Sequence, residues 1–100
     1  MQEIKNNDLD GFIEEGVTLV DFSATWCAPC RALKPTLKKL SDAGRKVCIV
    51  DVGDNQELAT KYNVGSIPAL LFFKDGELQQ SLVGIQKEKV LNAIFDKLEG

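Results

Sequence analysis

The sequence predicts an α/β fold, with a central mixed β-sheet of about five strands flanked by four helices. Three observations carry this reading. Continuous apolar runs of strand length recur at residues 17–23, 47–52 and 69–73. Between them lie segments whose apolar residues repeat at helical spacing, so extended and helical units alternate. An Asp75-Gly76 pair then separates two strand-like runs and marks an antiparallel hairpin. Strands that are apolar throughout and separated by helices imply a sheet covered on both faces.

Taken in order, residues 2–5 form a weak first strand, and a short helix follows over 8–15. Leu9, Phe12 and Ile13 give that helix an apolar face, and Gly16 is its stop signal. Residues 17–23 are the first strong strand. A longer helix spans 27–42, with Leu33, Leu37 and Leu40 on one face and a kink expected at Pro35. Residues 47–52 form a buried strand, and Asp54 and Glu57 are spaced as a capping box for a short helix ending near Tyr62. Residues 69–73 and 78–83 make the hairpin. A final amphipathic helix over 87–99 buries Val90, Leu91, Ile94 and Leu98, and Tyr62 and the five phenylalanines belong to the core. The order is βαβαβαββα.

Composition narrows the function classes. One hundred residues, 44% apolar and 27% charged, suit one globular domain over residues 1–100. Twelve basic residues are scattered among fifteen acidic ones for a net charge of −3, with no basic stripe, so nucleic acid is not an expected partner. No apolar run is long enough to span a bilayer, and the N-terminus lacks the charged and apolar regions of an export signal. A soluble cytoplasmic monomer is therefore expected. Three cysteines and no histidine are not a disulfide framework; one close pair, Cys27 and Cys30, stands apart from Cys48, as suits a reducing compartment.

The chemistry lies in Phe22-Ser23-Ala24-Thr25-Trp26-Cys27-Ala28-Pro29-Cys30-Arg31, which follows a buried strand and opens a helix. Two cysteines three apart on a first helical turn bring their sulfurs within bonding reach. The free N–H groups and partial positive charge of a helix N-terminus stabilise a thiolate on Cys27, and Pro29 fits a turn where its missing N–H costs little. Cys30, one turn further in, is the shielded sulfur that resolves a mixed disulfide formed at Cys27. A structural zinc site requires four Cys or His ligands, which this chain lacks. A purely structural disulfide is the weaker alternative, because so short a loop restrains the unfolded chain only modestly. Cys48, in an apolar strand, reads as a small buried hydrophobe.

Around this motif the sequence resembles the thioredoxin family over nearly its whole length. The matching stretches are Val20-Asp21-Phe22, Ala24-Thr25-Trp26-Cys27-Ala28-Pro29-Cys30, Lys34-Pro35, Tyr62-Asn63-Val64-Gly65-Ser66-Ile67-Pro68, Phe73-Lys74-Asp75-Gly76 and Val83-Gly84. The resemblance implies the thioredoxin fold and a general protein-disulfide reductase with no cofactor beyond its redox-active disulfide. Its partners would be a thioredoxin reductase as electron donor and disulfide-containing client proteins. The residues alone leave Pro68 either a cis proline or the ordinary start of a strand; the resemblance implies a cis Ile67-Pro68 bond opposite the cysteines. By the same resemblance Trp26, Ala28, Pro29, Ile67, Pro68, Val83, Gly84 and Ile85 form an apolar docking surface.

Asp21 interrupts an apolar strand, where a carboxylate is expensive unless paired or functional. The residues alone also allow an exposed strand-end aspartate, whereas the resemblance makes Asp21 the proton acceptor for Cys30. Three positions depart from the family pattern. Ala28 replaces the glycine of CGPC, which stiffens the turn; Ile49 stands where many relatives carry a lysine near the aspartate; and Ser23 replaces a tryptophan found in some members. Without the lysine, desolvation is expected to dominate the titration of Asp21.

Overall fold

A computed structural model describes residues 1–5 and 7–100. The elements are β1 (Gln2–Glu3), α1 (Leu9–Ile13), β2 (Val17–Ser23), α2 (Ala28–Asp42), β3 (Lys46–Asp51), α3 (Gln56–Lys61), β4 (Ala69–Lys74), β5 (Glu77–Val83) and α4 (Glu88–Glu99). They build one five-stranded sheet in the order β1-β3-β2-β4-β5. The strands β1, β3 and β2 pair parallel, while β4 runs antiparallel to β2 and β5 to β4, so the sheet is mixed.

The central strand β2 organises both cores. All seven of its residues are buried, and successive side chains point to opposite faces. Val17 and Leu19 pack with Leu33, Leu37 and Leu40 of α2 and with Leu91, Ile94 and Phe95 of α4. Val20 and Phe22 pack on the other face with Leu9 and Ile13 of α1 and Leu58 of α3. Asp21 has the parity of Val17 and Leu19, so it belongs to the row that faces α2. Phe72 and Phe95 meet edge to face, 5.1 Å between centroids, and Tyr62 meets Phe73 in the same way at 5.3 Å. Such contacts add about 1 kcal/mol each beyond area burial.

The hairpin forms as its turn residues require. Asp75 and Gly76 both have positive φ, 50° and 87°, the pattern of the two-residue turn whose twist matches antiparallel strands. Asp75 also ties this turn to the start of β2: its backbone N–H donates to the Gly16 carbonyl at 2.9 Å, and its Oδ1 accepts the Gly16 N–H at 2.8 Å. A second clasp closes the α2–β3 loop on α4. Arg45 donates to Asp96 and to Asn92 Oδ1 and lies 4.9 Å from the Phe95 ring centroid.

Two sequence readings need correction. The N-cap of α3 is Asn55, not Asp54, so Glu57 sits one residue too early for a capping box. The chain turns at Asp51 instead, whose Oδ1 accepts the N–H groups of Gly53 and Asp54 and whose carbonyl accepts from Asn55 Nδ2. Val90 is exposed, because the buried stripe of α4 is Leu91, Ile94 and Phe95 with Leu98 at its border. Elsewhere the differences are small: α1 is shorter at both ends than expected, β3 starts and stops one residue early, and α2 runs through Pro35 to Asp42.

Candidate active site

At the end of β2 the chain leaves the sheet through buried Ala24, crosses exposed Thr25 and Trp26, and enters α2 at Cys27. Cys27 is the helix N-cap, with extended backbone at φ −92° and ψ 110°. Its sulfur accepts the Cys30 N–H at 3.2 Å, and its carbonyl accepts the Arg31 N–H at 3.1 Å. A sulfur thus takes the place that a hydroxyl or carboxylate oxygen occupies at an ordinary helix start. Cys27 and Cys30 form a disulfide, with their Cα atoms 5.3 Å apart. The two sulfurs differ in access: Cys27 keeps 6% of its surface and Cys30 none. Ala28 and Pro29 are exposed beside them, and Trp26 is 74% exposed. Arg31 Nη1 donates to the Thr25 carbonyl at 2.9 Å, which braces the loop carrying Trp26.

The segment before β4 closes the other side. Ile67-Pro68 is a cis peptide. Ile67 and Val52 pack against Ala24, Cys27 and Cys30 in one small cluster. Pro68 is buried, and its carbonyl accepts the Gly84 N–H at 2.8 Å. Gly84 supplies that bond from φ +90°, a conformation an L side chain would resist. The bond, with the Ala69–Val83 pairing, holds residues 83–85 beside the cis proline. Val83 and Ile85 there are exposed despite being apolar.

Asp21 is fully buried, and neither carboxylate oxygen has a hydrogen-bond partner among the described residues. Its ladder neighbours are Ile49 on β3 and Leu70 on β4, both apolar. Burial therefore pushes its pKa up from 3.8 to about 7, and the positive charge of Lys34 is the smaller cause, acting the other way. Desolvation dominates, as the sequence led us to expect. Cys48 is fully buried too, and desolvation together with the Asp21 charge raises its thiol to about 12, so it is inert at neutral pH.

Two neighbours of the site escaped the sequence reading. Val52 reads there as the end of a strand, yet it leaves β3 and packs on the cysteine cluster. Lys34 drew no role of its own, although it lies four residues after Cys30, on the same side of the helix. Among the described residues no group of three or more His, Cys, Asp or Glu is placed to hold a metal ion, and no helix is long and apolar enough to cross a membrane.

Comparison with known proteins agrees with this geometry. The thioredoxin family profile matches residues 1–97. A thioredoxin of Staphylococcus epidermidis is 43% identical over 98 residues, 95% of this chain and 94% of its own length. A thioredoxin of Staphylococcus aureus is 40% identical over the same span. A mutant thioredoxin from Halobacterium salinarum superposes with a TM-score of 0.91 at 33% identity, over 99% of this chain and 92% of that one. A match of this extent, on a chain whose cysteine pair caps a helix beside a cis proline, means that the protein belongs to the thioredoxin family and is a dithiol–disulfide oxidoreductase.

Proposed function

We propose that the chain acts as a general protein-disulfide reductase in which Cys27 attacks and Cys30 resolves. The observation that supports this most is the asymmetry of the pair. Cys27 sits at a helix N-cap with a backbone N–H directed at its sulfur, whereas Cys30 is sealed beneath the surface. In the reduced protein the N-cap favours a thiolate on Cys27, and its residual access lets it reach a client. That thiolate attacks one sulfur of the client disulfide; the second client sulfur leaves with the bonding pair and takes up a proton. The Cys30 thiol then gives its proton to the Asp21 carboxylate, and the Cys30 sulfur attacks Cys27 in the mixed disulfide. The client's first sulfur departs as a thiolate, and the Cys27–Cys30 bond forms. The client gains two electrons and the protein loses two.

The exposed apolar patch of Trp26, Ala28, Pro29, Val83 and Ile85, with Ile67, Pro68 and Gly84 behind it, suits extended client segments brought to Cys27. Between the cysteines, Ala28-Pro29 carries no charge to stabilise the thiolate further, which favours the reducing end of the family's range. Residues 1–100 would serve as one domain and work as a monomer in the cytoplasm, with no cofactor beyond the cysteine pair. A thioredoxin reductase would return the disulfide to the dithiol. Insulin reduction by the protein, recycled with a thioredoxin reductase or with dithiothreitol, tests the reading. We expect wild-type protein to precipitate the insulin B chain and Cys27→Ser to fall to the uncatalysed rate. A Cys27→Ser variant as fast as wild type would remove Cys27 from the attacking role.

A further inference from the structure

Among the described residues β5 is the last strand of the sheet, so one of its edges faces no other strand. The Gly84 N–H donates inward to Pro68, and bonded pairs alternate along an antiparallel ladder. Leu82 and Gln80 therefore bond inward too, and the N–H and C=O of Ser81 point out along the free edge. Protein sheets blunt such an edge with charged side chains or proline. Leu78-Gln79-Gln80-Ser81-Leu82-Val83 carries neither. Beside this edge, between β5 and α4, lies a groove of about 410 Å³. Its apolar lining is Leu82, Val90, Ala93 and Ile94, and Val90 is 39% exposed. The charged residues in its wall are Lys89 and Lys97, both exposed. Neither pairs with a carboxylate among the described residues, whereas Asp96 and Glu99 on the same helix are held by Arg45.

These features fit one occupant. A strand laid against Ser81 bonds its backbone to the free N–H and C=O, and its residues opposite Gln80 and Leu82 point toward α4, over the groove. Lys89 and Lys97 stand about 12 Å apart along the axis of α4. In an extended chain, residues four apart share one face at about 13 Å, with the residue midway between them on that face too. We propose that the β5 edge and its groove bind an extended segment of a partner protein, with acidic residues four apart at the two lysines and an apolar residue between them in the groove. A second copy of the chain fits less well. Pairing two β5 edges antiparallel sets both α4 helices on one face, where Lys89 and Lys97 of one copy meet those of the other, and like charges so placed repel. The site does not involve the cysteine pair and stands apart from the reductase reading.

An NMR titration of the oxidised, nitrogen-15-labelled protein with the end-blocked peptide Thr-Glu-Thr-Leu-Thr-Glu-Thr tests this. We expect amide shifts confined to residues 79–83 and 89–97, and solvent exchange of the Ser81 amide slowed about tenfold at saturation. Lys89→Glu combined with Lys97→Glu should weaken binding about tenfold, the worth of two exposed ion pairs. That double variant should prefer Thr-Lys-Thr-Leu-Thr-Lys-Thr instead. Ser81→Pro removes the outward N–H at a free edge, where proline is tolerated, and should abolish binding. Both variants should reduce insulin at the wild-type rate, which shows that they are folded; the lysine pair decides the matter if the proline disturbs the strand. Shifts centred on Trp26, Ile67 and Ile85 would assign the peptide to the client patch. Equal affinity for the two peptides would leave the lysines no part, and groove shifts without slowed Ser81 exchange would rule out strand addition. Each of these results overturns the proposal, as does a free protein already dimeric through β5 or no binding at millimolar peptide.

Discussion

Replacing Asp21 by asparagine keeps the shape of the side chain and removes its charge. In the folded protein burial holds the Asp21 carboxyl at a pKa of about 7, against 3.8 when it is free in solution. The gap between 3.8 and about 7, at about 1.4 kcal/mol per pH unit, is about 4 kcal/mol. The sign follows from which state binds the proton more tightly. Below pH 3.8 the carboxyl is neutral in both states and costs the fold nothing extra. As pH rises from there to about 7, the unfolded chain ionises first, and stability from this group is lost across that window. Above it the loss is complete. Asp21→Asn should therefore resemble wild type near pH 4 and be more stable by about 4 kcal/mol at pH 8. Any penalty from burying the amide is present at both pH values and cancels when the two differences are compared. Urea denaturation of both oxidised proteins at the two pH values gives this comparison directly. The same variant should slow the resolving step by about a hundredfold, the lower end of what a positioned base contributes. A stability difference that is constant with pH to within about 1 kcal/mol would refute the burial argument, because Asp21 would then titrate alike in both states.

Iodoacetamide at neutral pH should label Cys27 of the reduced protein before Cys30, as mapped by mass spectrometry, and leave Cys48 unlabelled until the chain unfolds; label mainly on Cys30 would reverse the two roles. Cys30→Ser should accumulate a covalent client adduct on Cys27, visible on a non-reducing gel and released by dithiothreitol. Gly76→Ala should lower stability by about 1 kcal/mol, or roughly 4–8 °C in Tm, because a Cβ at φ +87° is strained although nothing lies within 4 Å of it; an unchanged Tm would show that the hairpin relaxes to a different turn.

How far the fold was legible depended on how much of each element is decided locally. The bounds of β2 come out to the residue, since Gly16 marks its start and Val17, Leu19, Val20 and Phe22 lead from it to the cysteine segment. The Asp75-Gly76 turn was equally plain, because few residue pairs accept positive φ at both positions. The start of α3 was not, although Asp54 and Glu57 have the right spacing. Asp51 had already taken the backbone N–H groups of Gly53 and Asp54, and that moved the cap to Asn55. A turn set up three residues ahead of the candidate cap is not visible in the spacing of Asp54 and Glu57. The buried stripe of α4 is legible in the sequence: Leu91, Ile94, Phe95 and Leu98 fit the helical template, and Val90 lies about 100° around the helix from Leu91.

The site divides along a similar line. Both cysteines, the cis proline and the apolar patch lie in contiguous motifs, and each motif carries its chemistry within a few residues. The environment of Asp21 does not. An aspartate between Val20 and Phe22 announces burial, but burial alone does not say what else the carboxylate feels. Its field is set by Ile49 from one strand, Leu70 from another and Lys34 from the helix above, residues brought together only by the sheet register and the crossing of α2. A sequence motif can place a nucleophile, because the helix terminus that activates it is built from the motif's own backbone. It cannot set the charge state of a buried base, because in a medium of low polarity that state depends on every neighbour within several ångströms. In this chain the neighbours that bear on Asp21 include two positions that no cysteine motif contains, Ile49 and Lys34.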